Sequence, residues 1–221
     1  MNISICEEIN NIIPEFNIIA LDMDVKYKSS EEISDLILQY EKKISEEYSL
    51  EDILNIPLIK EARDAYKAFG KDPSRYRLAC ESLLRRLSKG NGLYKINNLV
   101  DAGNILSIET KRSVAVLDYD KIVGDITVRL GKGSDEYYGI GRGKINIENI
   151  PLYEDSVGPF GSTTSDTERT MVTENTKRIL LLIICFSKTD IEKNKSFAID
   201  LYEEYGSAKN IKEIKVTHKT Y

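Results

Sequence analysis

The sequence predicts an α+β fold, and three observations carry that expectation. Apolar residues recur at helical period through roughly residues 31–108, and the period changes to strand-like alternation near residue 112. An uninterrupted apolar run, Ile179 to Phe186, then has the length of one strand covered on both faces. With 221 residues, 41% apolar and 30% charged, the chain is one large domain or two small ones. It is long enough to bury roughly 70% of its unfolded surface. No repeat, low-complexity tract or linker divides it, so a single domain is the simplest architecture.

Ile12 to Leu21 is rich in isoleucine, with Pro14 near its start, and predicts a strand. Ser29-Ser30-Glu31-Glu32 has capping-box spacing, and Ile33, Leu36, Ile37, Tyr40, Ile44 and Tyr48 then follow one helical face. Leu58, Ala62, Ala65, Tyr66 and Phe69 predict a second helix that stops at Gly70, which is free to adopt a left-handed cap. Asp72-Pro73 reads as a cap plus first-turn proline. The helix it opens buries Leu83, Leu84 and Leu87 and ends near Gly90, and Ile96 to Ile108 predicts a fourth. Val114, Val116 and Ile126 to Leu130 alternate as strands do. Gly139 to Gly143 reads G-I-G-R-G with no helix-forming stretch behind it, so it predicts a β-turn rather than a phosphate cradle. Thr189 and Glu192 have capping-box spacing before a helix ended by Gly206, and Glu213 to Thr217 predicts a last strand.

Scarce residues narrow the chemistry. Cys6, Cys80 and Cys185 are far apart and odd in number, and the one histidine is His218. A disulfide framework, a zinc cluster and a histidine-dependent triad are therefore not expected, nor is a metal or other cofactor. The first residues carry Glu7 and Glu8 where a signal peptide needs a basic start, and no run approaches the ~20 apolar residues of a membrane span. A cytoplasmic protein is expected. Chemistry is left to carboxylates, amides, hydroxyls, arginines and bound water.

Charge is unevenly spread along a chain of net −5. Residues 1–70 carry −8, whereas residues 71–95 carry +5 from Lys71, Arg75, Arg77, Arg85, Arg86, Lys89 and Lys95 against two acids. Such a stretch is either a solvated helix face or a phosphate-binding patch whose field is screened beyond ~10 Å.

Several ordered motifs resemble a known family. They are Glu61-Ala62-Arg63-Asp64-Ala65-Tyr66-Lys67-Ala68-Phe69-Gly70, Asp72-Pro73-Ser74-Arg75-Tyr76-Arg77 and Glu81-Ser82-Leu83-Leu84-Arg85-Arg86. Ile96-Asn97-Asn98-Leu99-Val100-Asp101-Ala102-Gly103-Asn104, Leu117 to Ile122, Gly124 to Arg129 and Asp166 to Thr173 continue the match. Together they are similar to free-standing relatives of the B-three/B-four domain of the phenylalanyl-tRNA synthetase beta subunit, across roughly residues 55–190. The resemblance implies a mixed, mainly antiparallel sheet packed with helices around a central cavity. Residues 1–55 would be an N-terminal strand-helix extension on the same domain, and residues 56–221 the tRNA-binding and editing-like part. In the synthetase this domain cuts wrongly attached tyrosine from tRNA. The chain lacks the synthetase catalytic core, so the resemblance implies deacylation in trans, or a binding module without catalysis, rather than aminoacylation.

Three positions depart from the synthetase pattern. A histidine becomes Ala115, a threonine becomes Gly103, and a glutamate on the late apolar strand aligns with Leu182. The synthetase-type water-positioning set is therefore mostly absent. What remains still suits ester hydrolysis, which needs one held water and donors for the developing oxyanion. Asn104, Asp101, Glu168 and Thr173 are the catalytic candidates, and Asn97, Asp166, Arg169 and Thr170 the substrate-binding ones. Arg75, Arg77, Arg85, Arg86 and Lys89 would contact RNA. Each has an alternative: Asn97 stands at a helix cap position, Arg75 and Arg77 could pair with Asp72 or Glu81, and a loop as polar as Ser162 to Ser165 could be a plain connection. The expected partner is tRNA, through its terminal aminoacyl-adenosine, or a small amino acid or nucleoside-like ligand. Neither DNA nor a membrane is expected.

Overall fold

The computed structural model describes residues 1–219. In chain order it contains strand β1 (Ile3–Ile5), helix α1 (Glu7–Ile12), β2 (Asn17–Asp24), α2 (Ser34–Glu47), α3 (Leu50–Asn55), α4 (Pro57–Ala68), α5 (Ala79–Ser88) and α6 (Asn98–Thr110). Strands β3 (Val114–Asp118), β4 (Ile126–Leu130), β5 (Tyr138–Gly139), β6 (Gly143–Lys144), β7 (Pro151–Glu154) and β8 (Pro159–Ser162) follow. Then come β9 (Arg178–Cys185), α7 (Ile191–Gly206), β10 (Lys209–Glu213) and β11 (Val216–His218).

The apolar run becomes β9, inside a four-stranded antiparallel sheet ordered β10-β2-β9-β3. Ile179 to Ile184 are no more than 1% exposed, because β9 has a strand on each edge and packed layers on both faces. A five-stranded sheet, ordered β11-β1-β4-β7-β8, carries the parallel pairs, β1 with β11 and β1 with β4. The fold is thus α+β, mixed and mainly antiparallel, but its strands form two main sheets and a small hairpin of β5 and β6 rather than one sheet. Both β1 and β2 are interior strands of their sheets, so the first 24 residues build the core instead of decorating it.

Local signals placed most helices and misplaced several ends. Gly70 does take a left-handed φ of 84° just beyond α4, and the Asn97 side chain caps α6 by accepting from the Leu99 and Val100 amides at 3.0 Å. The strand expected from Ile12 is β2 and starts at Asn17, five residues later, because Ile12 ends α1 and Phe16 closes a turn onto the Ile13 carbonyl. Asp72 caps no helix. Its Oδ1 accepts from the Ser74 amide at 2.8 Å in a local turn, and α5 begins only at Ala79. The Ser29 and Thr189 capping boxes do not form: a short 3-10 turn precedes α2, and the cap of α7 is Asp190 with φ 54°. The expected last strand is two strands in different sheets, β10 and β11, with Ile214 and Lys215 between them.

Candidate functional site

Three of the sequence candidates, Asn104, Asp166 and Arg86, line a cavity of about 410 Å³ between α5, α6, the start of β3 and the loop after β8. Asn104, Asp166, Ser165, Arg86, Arg142 and Tyr94 supply its polar lining, over an apolar wall of Leu83 and Val114. The Ser/Thr-rich loop is held rigidly. Ser162 Oγ accepts from the Ser165 amide at 3.1 Å and donates to the Ser165 carbonyl at 2.8 Å. Tyr66, buried on α4, bonds through its hydroxyl to Thr163 and to Thr164 (3.0 Å). The Thr163 carbonyl in turn accepts from the Ala79 amide at 3.0 Å and from Ser113 Oγ at 3.1 Å. Three elements therefore fix the loop before any ligand arrives, which is the preorganisation a site needs.

Arg86 leaves the last turn of α5 and is oriented by neutral groups. Its Nε donates to the Gly92 carbonyl at 2.5 Å, Nη1 donates to the Tyr94 hydroxyl at 2.9 Å, and the guanidinium lies 3.8 Å from the Tyr94 ring centroid. Arg142 reaches the cavity from the turn of the β5–β6 hairpin, where Gly141 (φ 66°) and Gly143 (φ 70°) supply the left-handed backbone. The G-I-G-R-G stretch is indeed a turn, and its arginine is what matters. Among the described residues neither Arg86 nor Arg142 has a carboxylate partner. Arg86 is held in place but not neutralised, and Arg142 is exposed, with no side-chain hydrogen bond among the described residues.

Asn104 lines the cavity from α6, and its side-chain amide has no partner among the described residues. Asp166 lies across from it, partly buried, with Oδ1 sealed from solvent and without a hydrogen-bond donor. Burial pushes the Asp166 carboxyl up to about 7, against a lowering contribution from the Ser162 backbone. No cation lies within salt-bridge distance of it among the described residues.

The other sequence candidates stand elsewhere. Asn97 is spent as the α6 cap. Asp101, three residues before Asn104, turns to the far side of the helix entrance, where Oδ1 accepts from the Ile96 amide at 3.0 Å and burial raises its carboxyl. Arg169 is committed to Asp155 by a two-pronged ion pair at 2.8 and 3.0 Å and also donates to the Lys121 and Gly158 carbonyls. Burial alone would raise Asp155, but Arg169 and the Val123 and Val157 amides hold it below the usual carboxylate range. Thr170 is fully buried beneath Phe160, and Thr173 closes a turn with Thr176. Glu168 is exposed on a separate, larger cleft of about 570 Å³ that lies along Gly139, Gly141 and Gly143. That cleft offers few free donors, since Arg169 on its wall is already engaged. Of the eight candidates, Asn104 and Asp166 share this cavity, Glu168 and Arg169 line the larger cleft, and Asn97, Asp101, Thr170 and Thr173 line neither.

The proposed RNA contacts divide as well. Arg75, Arg77 and Lys89 are exposed, but Arg85 leans 3.7 Å from the buried Glu81. Tyr94 and Arg142 were missed in the sequence. An exposed aromatic in a loop and an arginine in a turn carry no periodic signal.

The three departures gain a physical meaning here. Ala115 and Leu182 are cross-strand partners on β3 and β9, 2% and 0% exposed. A Cβ on Gly103 would sit 2.3 Å from Val116 Cγ2, so α6 packs on β3 only because that side chain is missing. Positions that are polar in the synthetase pattern are apolar here: Ala115 and Leu182 form a seam on one face of the sheet, and Gly103 meets Val116 on the opposite face. Leu182→Glu is therefore expected to lower the urea midpoint strongly, since it buries a carboxyl without a donor. An unchanged midpoint would show that the seam accommodates a polar group.

Residues 61–207 match the family model described as the B3/4 domain, two thirds of the chain. The chain belongs to the B3/4 domain family. Among solved structures it is similar to an N-terminal fragment of the phenylalanyl-tRNA synthetase beta subunit from Pyrococcus horikoshii, with a TM-score of 0.56 and 14% identity. All of this chain is covered, but only 52% of that fragment, so this B3/4 protein spans about half its length. A comparison with curated proteins finds no match. Among the described residues of this B3/4 domain, no helix is long and apolar enough to cross a membrane.

Proposed function

We propose that this B3/4 protein hydrolyses the ester of a mischarged aminoacyl-tRNA in trans. One observation carries the reading: Asn104, Asp166 and a rigid hydroxyl-bearing loop line the same cavity as two unneutralised guanidinium groups. Water adds to the acyl carbonyl, and the bond to the ribose oxygen breaks, giving an amino acid and a free ribose hydroxyl. The Asn104 amide donates to the developing oxyanion, while the loop hydroxyls hold the attacking water. The activated ester needs positioning more than a strong base. Glu168, Asp101 and Thr173, which lie outside this cavity, have no part in the step.

The test is a deacylation screen over purified tRNAs, each charged with a wrong amino acid. At least one ester should be cleared well above its spontaneous rate. If none is cleared, a binding module without catalysis takes its place, a reading favoured by the apolar seam at Ala115 and Leu182.

Phosphate contact should fall to Arg75, Arg77, Arg86 and Lys89. Replacing Arg86 and Lys89 by alanine is expected to flatten the log–log salt dependence of tRNA binding by about 0.7–0.9 per lost contact. Arg85→Ala should instead reduce stability, because its nearest charge is the buried Glu81. An unchanged slope in the double variant would assign these side chains to solvation alone.

A further inference from the structure

The cavity holds an unusual pairing of charges. Two guanidinium groups without carboxylate partners line it, from α5 and from the hairpin turn, and so does a carboxyl without a cation. Such groups would ordinarily neutralise one another, yet no ion pair joins them among the described residues. The Asp166 carboxyl oxygen Oδ1 is sealed and lacks a donor, and Gly161 behind it has no side chain because a Cβ would meet that oxygen at 2.7 Å. The backbone holds Asp166 in this place, since its carbonyl accepts from the Ile140 amide at 2.9 Å. A buried carboxyl kept unpaired costs stability. Oδ1 is sealed against Gly161, so a cation in the cavity would meet the carboxyl at its other oxygen and offset that cost on binding.

We infer that Asp166 anchors the α-ammonium group of the ligand, so that the site admits aminoacyl groups with a free amine and rejects their N-acylated counterparts. The inference rests on the reading of the cavity as an aminoacyl site, but not on hydrolysis. The ligand is dipolar: an ammonium at Asp166, the acyl carbonyl at Asn104, and a phosphate or other anion toward Arg86 and Arg142. A peptidyl or N-formyl ester brings no cation, and the desolvated carboxyl is left without its partner. The surrounding titratable groups do not substitute for it. Tyr137 and Tyr153 stay neutral because burial pushes their hydroxyls far up, and among the described residues neither Arg86 nor Arg142 forms an ion pair with Asp166. Burial raises the Asp166 carboxyl to about 7, and an arriving ammonium favours its ionised form.

The probes are a 3′-aminoacylamino-3′-deoxyadenosine, whose amide resists hydrolysis, and the same compound N-acetylated, with several side chains tried on each. Titration calorimetry should show at least one free-amine probe binding tenfold or more tighter than its acetylated form. Asp166→Asn should remove that preference, so that the free-amine and acetylated probes bind alike. Asp166→Glu should restore part of the preference. Since burial already penalises the charge, Asp166→Asn should melt no lower than the parent protein, which separates anchoring from folding. Equal affinity for both forms, or binding of neither, overturns the inference. Amine-dependent binding together with no deacylation of any tRNA leaves the anchor standing and removes only the hydrolytic reading.

Discussion

Replacing Arg63 by alanine is expected to destabilise the protein by about 3–5 kcal/mol. Glu81 is fully buried on α5, and Arg63 from α4 reaches both of its oxygens, at 2.9 and 3.1 Å, while also donating to the Pro73 carbonyl at 3.2 Å. Truncating the arginine removes the close partner and leaves a carboxylate in a site closed to water. Arg85, at 3.7 Å, compensates only in part. For a chain of this length the melting temperature should fall by roughly 10 °C. Urea unfolding at neutral pH would measure the loss directly. A loss below about 1 kcal/mol would mean that Arg85 swings inward and replaces the missing pair. The consequence reaches the site, because α5 also carries Arg86.

Asn104→Ala is expected to reduce kcat of deacylation about a hundredfold, the usual cost, ~3 kcal/mol, of losing one preorganised donor to an oxyanion. Its side chain makes no bond within the described protein, so truncation should leave the melting temperature nearly unchanged and tRNA affinity intact. Thr173→Val is the matched contrast. The family motif includes that residue, but the structure places it in a turn closed with Thr176, where the Thr173 amide donates to Thr176 Oγ1 at 2.9 Å. That bond uses the backbone and survives the substitution, so activity should remain at the parent level. Loss of activity in Thr173→Val with full activity in Asn104→Ala would move the site away from the cavity described above.

The two outcomes also measure how far the candidate site was legible in the residues themselves. Asn104 and Asp166 were both singled out, as were Asp101, Glu168, Arg169, Thr170 and Thr173 beside them. The cluster 166–173 looks like one site because its polar residues are adjacent in sequence. Its backbone, however, passes through a short 3-10 turn at Glu168–Thr170 that sends successive side chains in different directions. Asp166 faces the cavity, Glu168 solvent, and Arg169 the Asp155 carboxylate. Likewise a three-residue spacing places Asp101 and Asn104 on one face of a regular helix. Asp101 lies in the first turn of α6 and is drawn back onto the Ile96 amide, so only Asn104 remains free.

Local patterns were sufficient wherever a residue's environment follows from its near neighbours. The helical periods, the Gly70 stop, the Asn97 cap, the glycine turn at 139–143 and the two-sided burial of Ile179 to Phe186 are all of that kind, since solvent exclusion and backbone conformational freedom act over a few residues. The α+β class and the family motifs follow from the same one-dimensional information. Long-range pairing is different. Whether β1 joins β4 or β9, which sheet β10 and β11 enter, and that Ala115 sits opposite Leu182 depend on contacts between segments a hundred or more residues apart in several cases. The cavity depends on those contacts too. Tyr94, Asn104, Arg142 and Asp166 come from a loop, a helix, a hairpin turn and a second loop, and no spacing rule links them. Only the packing of α5 and α6 against β3 and the 162–166 loop brings an unpaired carboxyl and two unpaired arginines to one cavity.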